Sequence, residues 1–197
     1  MCGRFYIDQK IIKQTQRAIG NLSAEFWLVR MGDVYPSERT LVITGEIDGS
    51  QRRLCPIMMT WGWKYCQGNG LVINARVESV LEKPMFSASV LQRRCVIPAG
   101  HFYEWNRLKE KAVFKTKDLQ TMYLAGIYQI VDNEARFTIL TTSANPSVKP
   151  VHDRMPVILA EEELKDWLFD EQYMKVVLKR VPVMLEREQE FEQLSLF

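Results

Sequence analysis

Cysteine is scarce and scattered in this sequence of 197 residues: Cys2, Cys55, Cys66 and Cys95, with no CxxC pair. That spacing argues against a zinc cluster or a disulfide framework and fits a reducing compartment. No metal and no cofactor is expected, and the cytoplasm is the expected location. No apolar run approaches the roughly 18 residues of a membrane span, so no membrane partner is expected. The opening MCGRFYIDQK carries a charge at Arg4 and no apolar core, so a cleaved secretory signal is not expected. Repeats and low-complexity blocks are missing. Histidine is limited to His101 and His152, which leaves few groups that change charge near neutral pH.

What is present is ordinary material for one packed domain, 47% hydrophobic and 25% charged. The net charge of +2 hides an asymmetry. Residues 1–159 carry +7 and residues 160–197 carry −5. A basic body suits nucleic acid, and an acidic end suits a different partner. A solvated charge run produces the same asymmetry.

The periodicity predicts mostly strands. Residues 9–19 place Ile11, Ile12, Thr15 and Ile19 near one face of a helix. LVITGEI and LCPIMMTWGW flank Asp48-Gly49, a hairpin signal. LVINARV, RCVIPAGHFYEW, MYLAGIYQIV and ARFTILTTSA read as further strands, the last two joined by a turn at Asp132-Asn133-Glu134. PMFSASVLQRR (84–94) reads as a short helix. AEEELKDWLF (160–169) reads as a helix with acids in its first turn, where the dipole favours them. Short apolar strands are covered only by joint burial. The expected fold is therefore α+β: one β-rich, barrel-like domain over residues 1–185 with peripheral helices, then an acidic tail over 186–197.

Cys2 is the most informative position. Removal of Met1 would leave an α-amine and a thiol on adjacent carbons, with reference pKa values of about 7.7–8.0 and 8.5. Such a 1,2-aminothiol condenses with an aldehyde to a Schiff base, and the thiol then closes a five-membered thiazolidine. A retained Met1 ties up the amine and blocks this chemistry. The plain alternative is a small buried residue near a chain end. Glu104 is a carboxylate in the apolar, aromatic stretch GHFYEW, and burial there would make it a general acid or base. If it points outward it is merely solvated. Asn74 and Arg76 share one face of a strand, where a neutral hydrogen-bonder and a guanidinium suit a backbone-contacting site or a solvated face.

MCGRF, WGW, INARVES, PAG-HFYEW and HDRMP, in this order and spacing, resemble the SOS response-associated peptidase (SRAP) family over roughly residues 1–170. The resemblance implies a β-rich domain that crosslinks abasic sites in single-stranded DNA and takes part in DNA damage repair, near the nucleoid. Cys2 would form the thiazolidine with the ring-opened deoxyribose. Glu104 would assist ring opening and condensation, Asn74 would position the opened sugar, and His152 would stabilise the intermediate or transfer a proton to it. Arg4, Arg76 and Arg154 match phosphate-contacting positions, and Trp105 an aromatic lining the nucleotide site. The family name also implies a peptidase activity, limited to exposing Cys2. Two departures stand out. The family's Asn-x-Ala-Pro stretch appears here as Asp33-Val34-Tyr35-Pro36, and an aromatic wedge between residues 63 and 74 is reduced to Trp63 or Tyr65. A cysteine peptidase using Cys2 and a non-enzymatic single-strand-binding adaptor are the rival readings. The basic run Arg107, Lys109, Lys111, Lys115 and Lys117 reads as a solvated hairpin flanking the DNA.

The chain ends EREQEFEQLSLF. Gln193, Leu194, Leu196 and Phe197 resemble the bacterial sliding-clamp-binding motif, a Gln that hydrogen-bonds and apolar side chains that fill a pocket. The alternative is a last element packed on the domain.

Overall fold

The structure is a computed structural model, and it describes residues 2–20, 29–64 and 70–189. In chain order, β1 (Phe5–Ile7), α1 (Gln9–Ile19) and β2 (Gly32–Val34) precede the long pair β3 (Arg39–Asp48) and β4 (Gln51–Trp61). Three short strands follow, β5 (Trp63–Lys64), β6 (Leu71–Val72) and β7 (Asn74–Arg76), then α2 (Pro84–Gln92). The centre of the chain holds β8 (Arg94–Ala99), β9 (His101–Trp105), β10 (Lys111–Lys115), β11 (Met122–Val131) and β12 (Glu134–Ser143). β13 (Arg154–Pro156), β14 (Ile158–Leu159), α3 (Leu164–Phe169), α4 (Glu171–Val177) and β15 (Glu186–Gln189) complete it.

The two turn signals in the sequence become two hairpins. β3 and β4 pair from Arg39↔Thr60 to Asp48↔Gln51, and Gly49 turns the chain at φ 58°. β11 and β12 are closed by Asp132 and Asn133, both left-handed at φ 51° and 59°. Asn and Asp tolerate that region better than other non-glycine residues, which is why this short loop holds its register. Hydrogen bonds then run β12–β4–β3–β8–β11 and back from β11 to β12, a closed ring of strands. β7 and β13 extend from β12, and β14 from β11. A second sheet, ordered β15–β10–β9–β1–β2, lies apart from the ring. The β-rich, barrel-like expectation matches this arrangement.

The ring strands read as almost continuous apolar runs because both of their faces are buried. Cys95, Ile97, Leu124, Phe137 and Ile139 belong to a core shared with Phe5, Phe102 and Phe114 of the second sheet. The alternate residues Val96, Tyr123, Ala125 and Leu140 belong to another core with Phe86, Trp167 and Met174 of the helices. Arg94 fixes the helix side. Its buried guanidinium donates to the carbonyls of Val90 and Leu91 at the end of α2 and of Trp167 and Leu168 at the end of α3. Those carbonyls have no partner within their own helices, so one side chain satisfies two helix ends. α1 begins where Asp8 Oδ1 accepts the Ile11 N–H at 2.9 Å, and it buries Ile11, Ile12 and Thr15.

Two segments differ from their sequence reading. RCVIPAGHFYEW is not one strand: Gly100 separates β8, in the ring, from β9, in the second sheet. The acidic helix starts as a 3-10 turn, Glu161–Glu163, before α3. Glu186–Gln189, at the start of the expected tail, pairs with β10. The clamp-like residues Gln193, Leu194, Leu196 and Phe197 lie outside the described residues, as do Tyr65 and Cys66. Among the described residues no helix is long and apolar enough to cross a membrane.

Candidate active site

The second sheet carries the start of the chain into the interior. β1 runs antiparallel to β9, pairing Phe5 with Phe102, and the Tyr103 N–H donates to the Arg4 carbonyl at 3.0 Å. Continuing that register sets Cys2 alongside the Glu104–Trp105 end of β9. Strand alternation puts Glu104 on the same side as Phe102, which is fully buried, so Glu104 is itself only 2% exposed. Of its two readings, the buried one holds. Burial raises its carboxyl to about 6, above the ordinary carboxylate range.

Cys2 is also buried. Its thiol donates to the Arg4 carbonyl at 3.6 Å, and burial first, then the negative charge of Glu104, pushes its pKa far up. The thiol is therefore protonated at neutral pH and needs a base before it can act as a nucleophile. Asn74 reaches it from the ring: Nδ2 donates to the Cys2 carbonyl at 2.9 Å, and Oδ1 is buried without a hydrogen-bond partner. An acceptor held ready beside the chain start is available to a ligand hydroxyl or amine.

His152 arrives through the β12–β13 turn, held where the Ala144 N–H donates to the Asp153 carbonyl at 2.9 Å. Its Nδ1 accepts the Arg154 N–H at 2.9 Å. That contact fixes the neutral tautomer with the proton on Nε2, and burial lowers the ring's pKa, so near pH 7 it presents an Nε2–H donor. Trp105 and His152 line one open groove of about 600 Å³ with Arg107, Leu108 and Lys149.

The three arginines form a rim. Arg76 is exposed on β7, opposite Thr141 of β12. Arg154 grips both oxygens of Glu78 at 2.6 and 2.9 Å and donates to the Thr141 carbonyl at 2.6 Å. Arg4 lies 4.7 Å from the Tyr35 ring, 4.9 Å from Trp105 and 5.3 Å from Tyr103, with Asp33 at 3.4 Å. Asp33 also accepts from the Tyr103 hydroxyl at 2.7 Å, and that hydroxyl meets His101 Nε2 at 2.8 Å. The departure Asp33-Val34-Tyr35-Pro36 therefore supplies the cradle of Arg4, a role the sequence alone did not indicate. The alternation His101–Tyr103–Trp105 was the available signal for it. Trp63 cannot be a wedge where it stands: it is fully buried, tilted against Phe86 at 5.4 Å, and its Nε1 donates to the Arg136 carbonyl.

With this geometry in hand, comparison with known proteins is informative. Residues 1–190 match the family described as SOS response associated peptidase (SRAP). Abasic site processing protein YoaM of Bacillus subtilis is 39% identical over 69% of this chain and 64% of its own length, so the match spans just under two thirds of that relative. Abasic site processing protein YoqW of the same organism is 36% identical over 85% of this chain and 80% of its own. A solved structure from Bordetella bronchiseptica superposes with a TM-score of 0.78 at 20% identity, covering 96% of this chain and all of that one, a likeness of fold.

Proposed function

Since this chain belongs to the SOS response associated peptidase family, we propose that it processes abasic sites in single-stranded DNA, forming a covalent thiazolidine crosslink through Cys2 after removal of Met1. The observation that carries the reading is the meeting of Cys2 with Asn74 and Glu104, three residues far apart in sequence. The relatives named for abasic-site processing support the substrate.

The chemistry follows from the groups. An abasic site is an aldehyde in its open form. The α-amine of Cys2 adds to that carbon and one water leaves, giving an imine. The thiol then adds across the C=N bond, sulfur to carbon and its proton to nitrogen. With its carboxyl at about 6, Glu104 is mostly ionised at pH 7 with about a tenth protonated. The acid form donates to the sugar ring oxygen during opening, and the carboxylate takes the thiol proton during closure. Asn74 holds the opened sugar through Oδ1, and the Nε2–H of His152 donates to the oxygen that develops charge. Closing the ring removes the iminium electron sink that would drive strand cleavage, so the adduct shields the strand. Arg4, Arg76 and Arg154 serve the phosphates and Trp105 a base. No metal or cofactor enters any of these steps. The peptidase activity of the family name is, in this reading, the exposure of Cys2.

Residues Gln193, Leu194, Leu196 and Phe197 form a clamp-binding anchor that brings the protein to replicating DNA. Deleting 193–197 removes pull-down by a purified bacterial sliding clamp; unchanged pull-down rejects the anchor. For the main reading, an oligonucleotide with one abasic site gives a denaturation-resistant adduct with wild-type protein and none with Cys2→Ala. An adduct that persists in Cys2→Ala rejects it.

A further inference from the structure

Two of the three rim arginines are already occupied by carboxylates, Arg4 by Asp33 and Arg154 by Glu78. The second pair is the more telling. Two oxygens of one carboxylate accept two N–H groups of one guanidinium at 2.6 and 2.9 Å, the fork geometry in which arginine also binds phosphate. We infer that Glu78 is a displaceable stand-in for a DNA phosphate, a specificity-determining residue that weakens the hold of the rim on single strands. The inference rests on the DNA-binding reading above.

The asymmetry of the pair says which partner yields. The Arg154 side chain is 13% exposed, and its Nη2 is tied to the Thr141 carbonyl, so the guanidinium stays aimed when its partner leaves. Glu78 is 50% exposed and sits in the turn after β7. It can swing into water while phosphate oxygens take over the same two N–H donors. Arg76 stands two residues before Glu78, so a phosphate entering there meets two guanidinium groups. Arg154 holds the Glu78 carboxyl below its usual range, so a proton does not remove the competitor near neutral pH. An undamaged strand must displace Glu78 and gains no covalent bond in return. An abasic strand meets the same barrier and is then captured at Cys2.

The test is binding of fluorescently labelled single strands by anisotropy over a salt series, using one natural strand and one whose abasic site is reduced to the alcohol and cannot crosslink. Glu78→Gln should tighten both about twofold to fivefold, the range of an exposed ion pair. The slope of log affinity against log salt should steepen by about 0.7. In an Arg154→Ala background the same substitution should do nothing. Glu82→Gln, which removes one charge from the neighbouring exposed position 82, should change affinity by less than Glu78→Gln. Weaker or unchanged binding by Glu78→Gln, or equal tightening without Arg154, overturns the inference and leaves the DNA reading standing. Wild-type protein that binds neither strand overturns the DNA reading and the gate with it.

Discussion

The interior and the rim of the candidate site are built on opposite physical terms. Cys2 and Glu104 lie in apolar surroundings where burial moves both acids upward. Arg4, Arg76 and Arg154 lie towards solvent, where pairing and screening govern. A buried acid has its proton equilibrium reset, and so its chemistry. A solvent-facing guanidinium keeps its charge and changes only how tightly it holds an anion. Substitutions inside should therefore alter rates and pH dependence, and substitutions on the rim should alter affinity and salt dependence.

Glu104→Gln should have the largest effect after loss of Cys2 itself, lowering the crosslinking rate at saturating DNA by about 10²–10⁴. Wild-type rate should also change through pH 6 in a step that the variant lacks, read by quenched time courses between pH 5 and 8. The same carboxyl makes a stability prediction. Its folded pKa lies above the ordinary 4.5, so the native state binds the extra proton. Stability conferred by that proton is complete below pH 4.5 and is lost as pH rises through 6. Denaturant titrations should show this fall, about 2 kcal/mol at most, in wild type and not in Glu104→Gln.

Asn74→Ala comes next. It strips the Cys2 carbonyl of its donor, so it should slow crosslinking about tenfold or more and cost about 1–3 kcal/mol of stability, measured by rate and by denaturation. A loss confined to affinity would erase the contrast between interior and rim. The smallest effect belongs to Arg76→Ala. Single-strand affinity should fall several-fold and the salt slope by about 0.7, with the rate at saturation unchanged. A changed saturating rate would place Arg76 in the chemistry.

Much of the fold was legible because it is local. The Asp48-Gly49 and Asp132-Asn133 turns and the α1 stripe ending in Ile19 each report short-range physics, and each appears where its residues demand. The break at Gly100 was not legible, since β8 and β9 form one apolar run whose halves join different sheets only through partners distant in sequence. For the same reason, the depth of Glu104 had two readings until Phe102 and Ala112 placed its face of β9 in the core. The pairing of Arg154 with Glu78 was equally hidden, because it joins two turns that meet only in the folded chain.

The central claim is a crosslink made by a free N-terminal Cys2, and intact mass spectrometry tests it most directly. Protein incubated with a single strand bearing one abasic site should have lost Met1. It should carry one strand less one water, and borohydride should leave that adduct unchanged, since a thiazolidine has no C=N bond to reduce. Met1-free protein that gives no adduct, or an adduct that borohydride traps as an amine, would contradict the account.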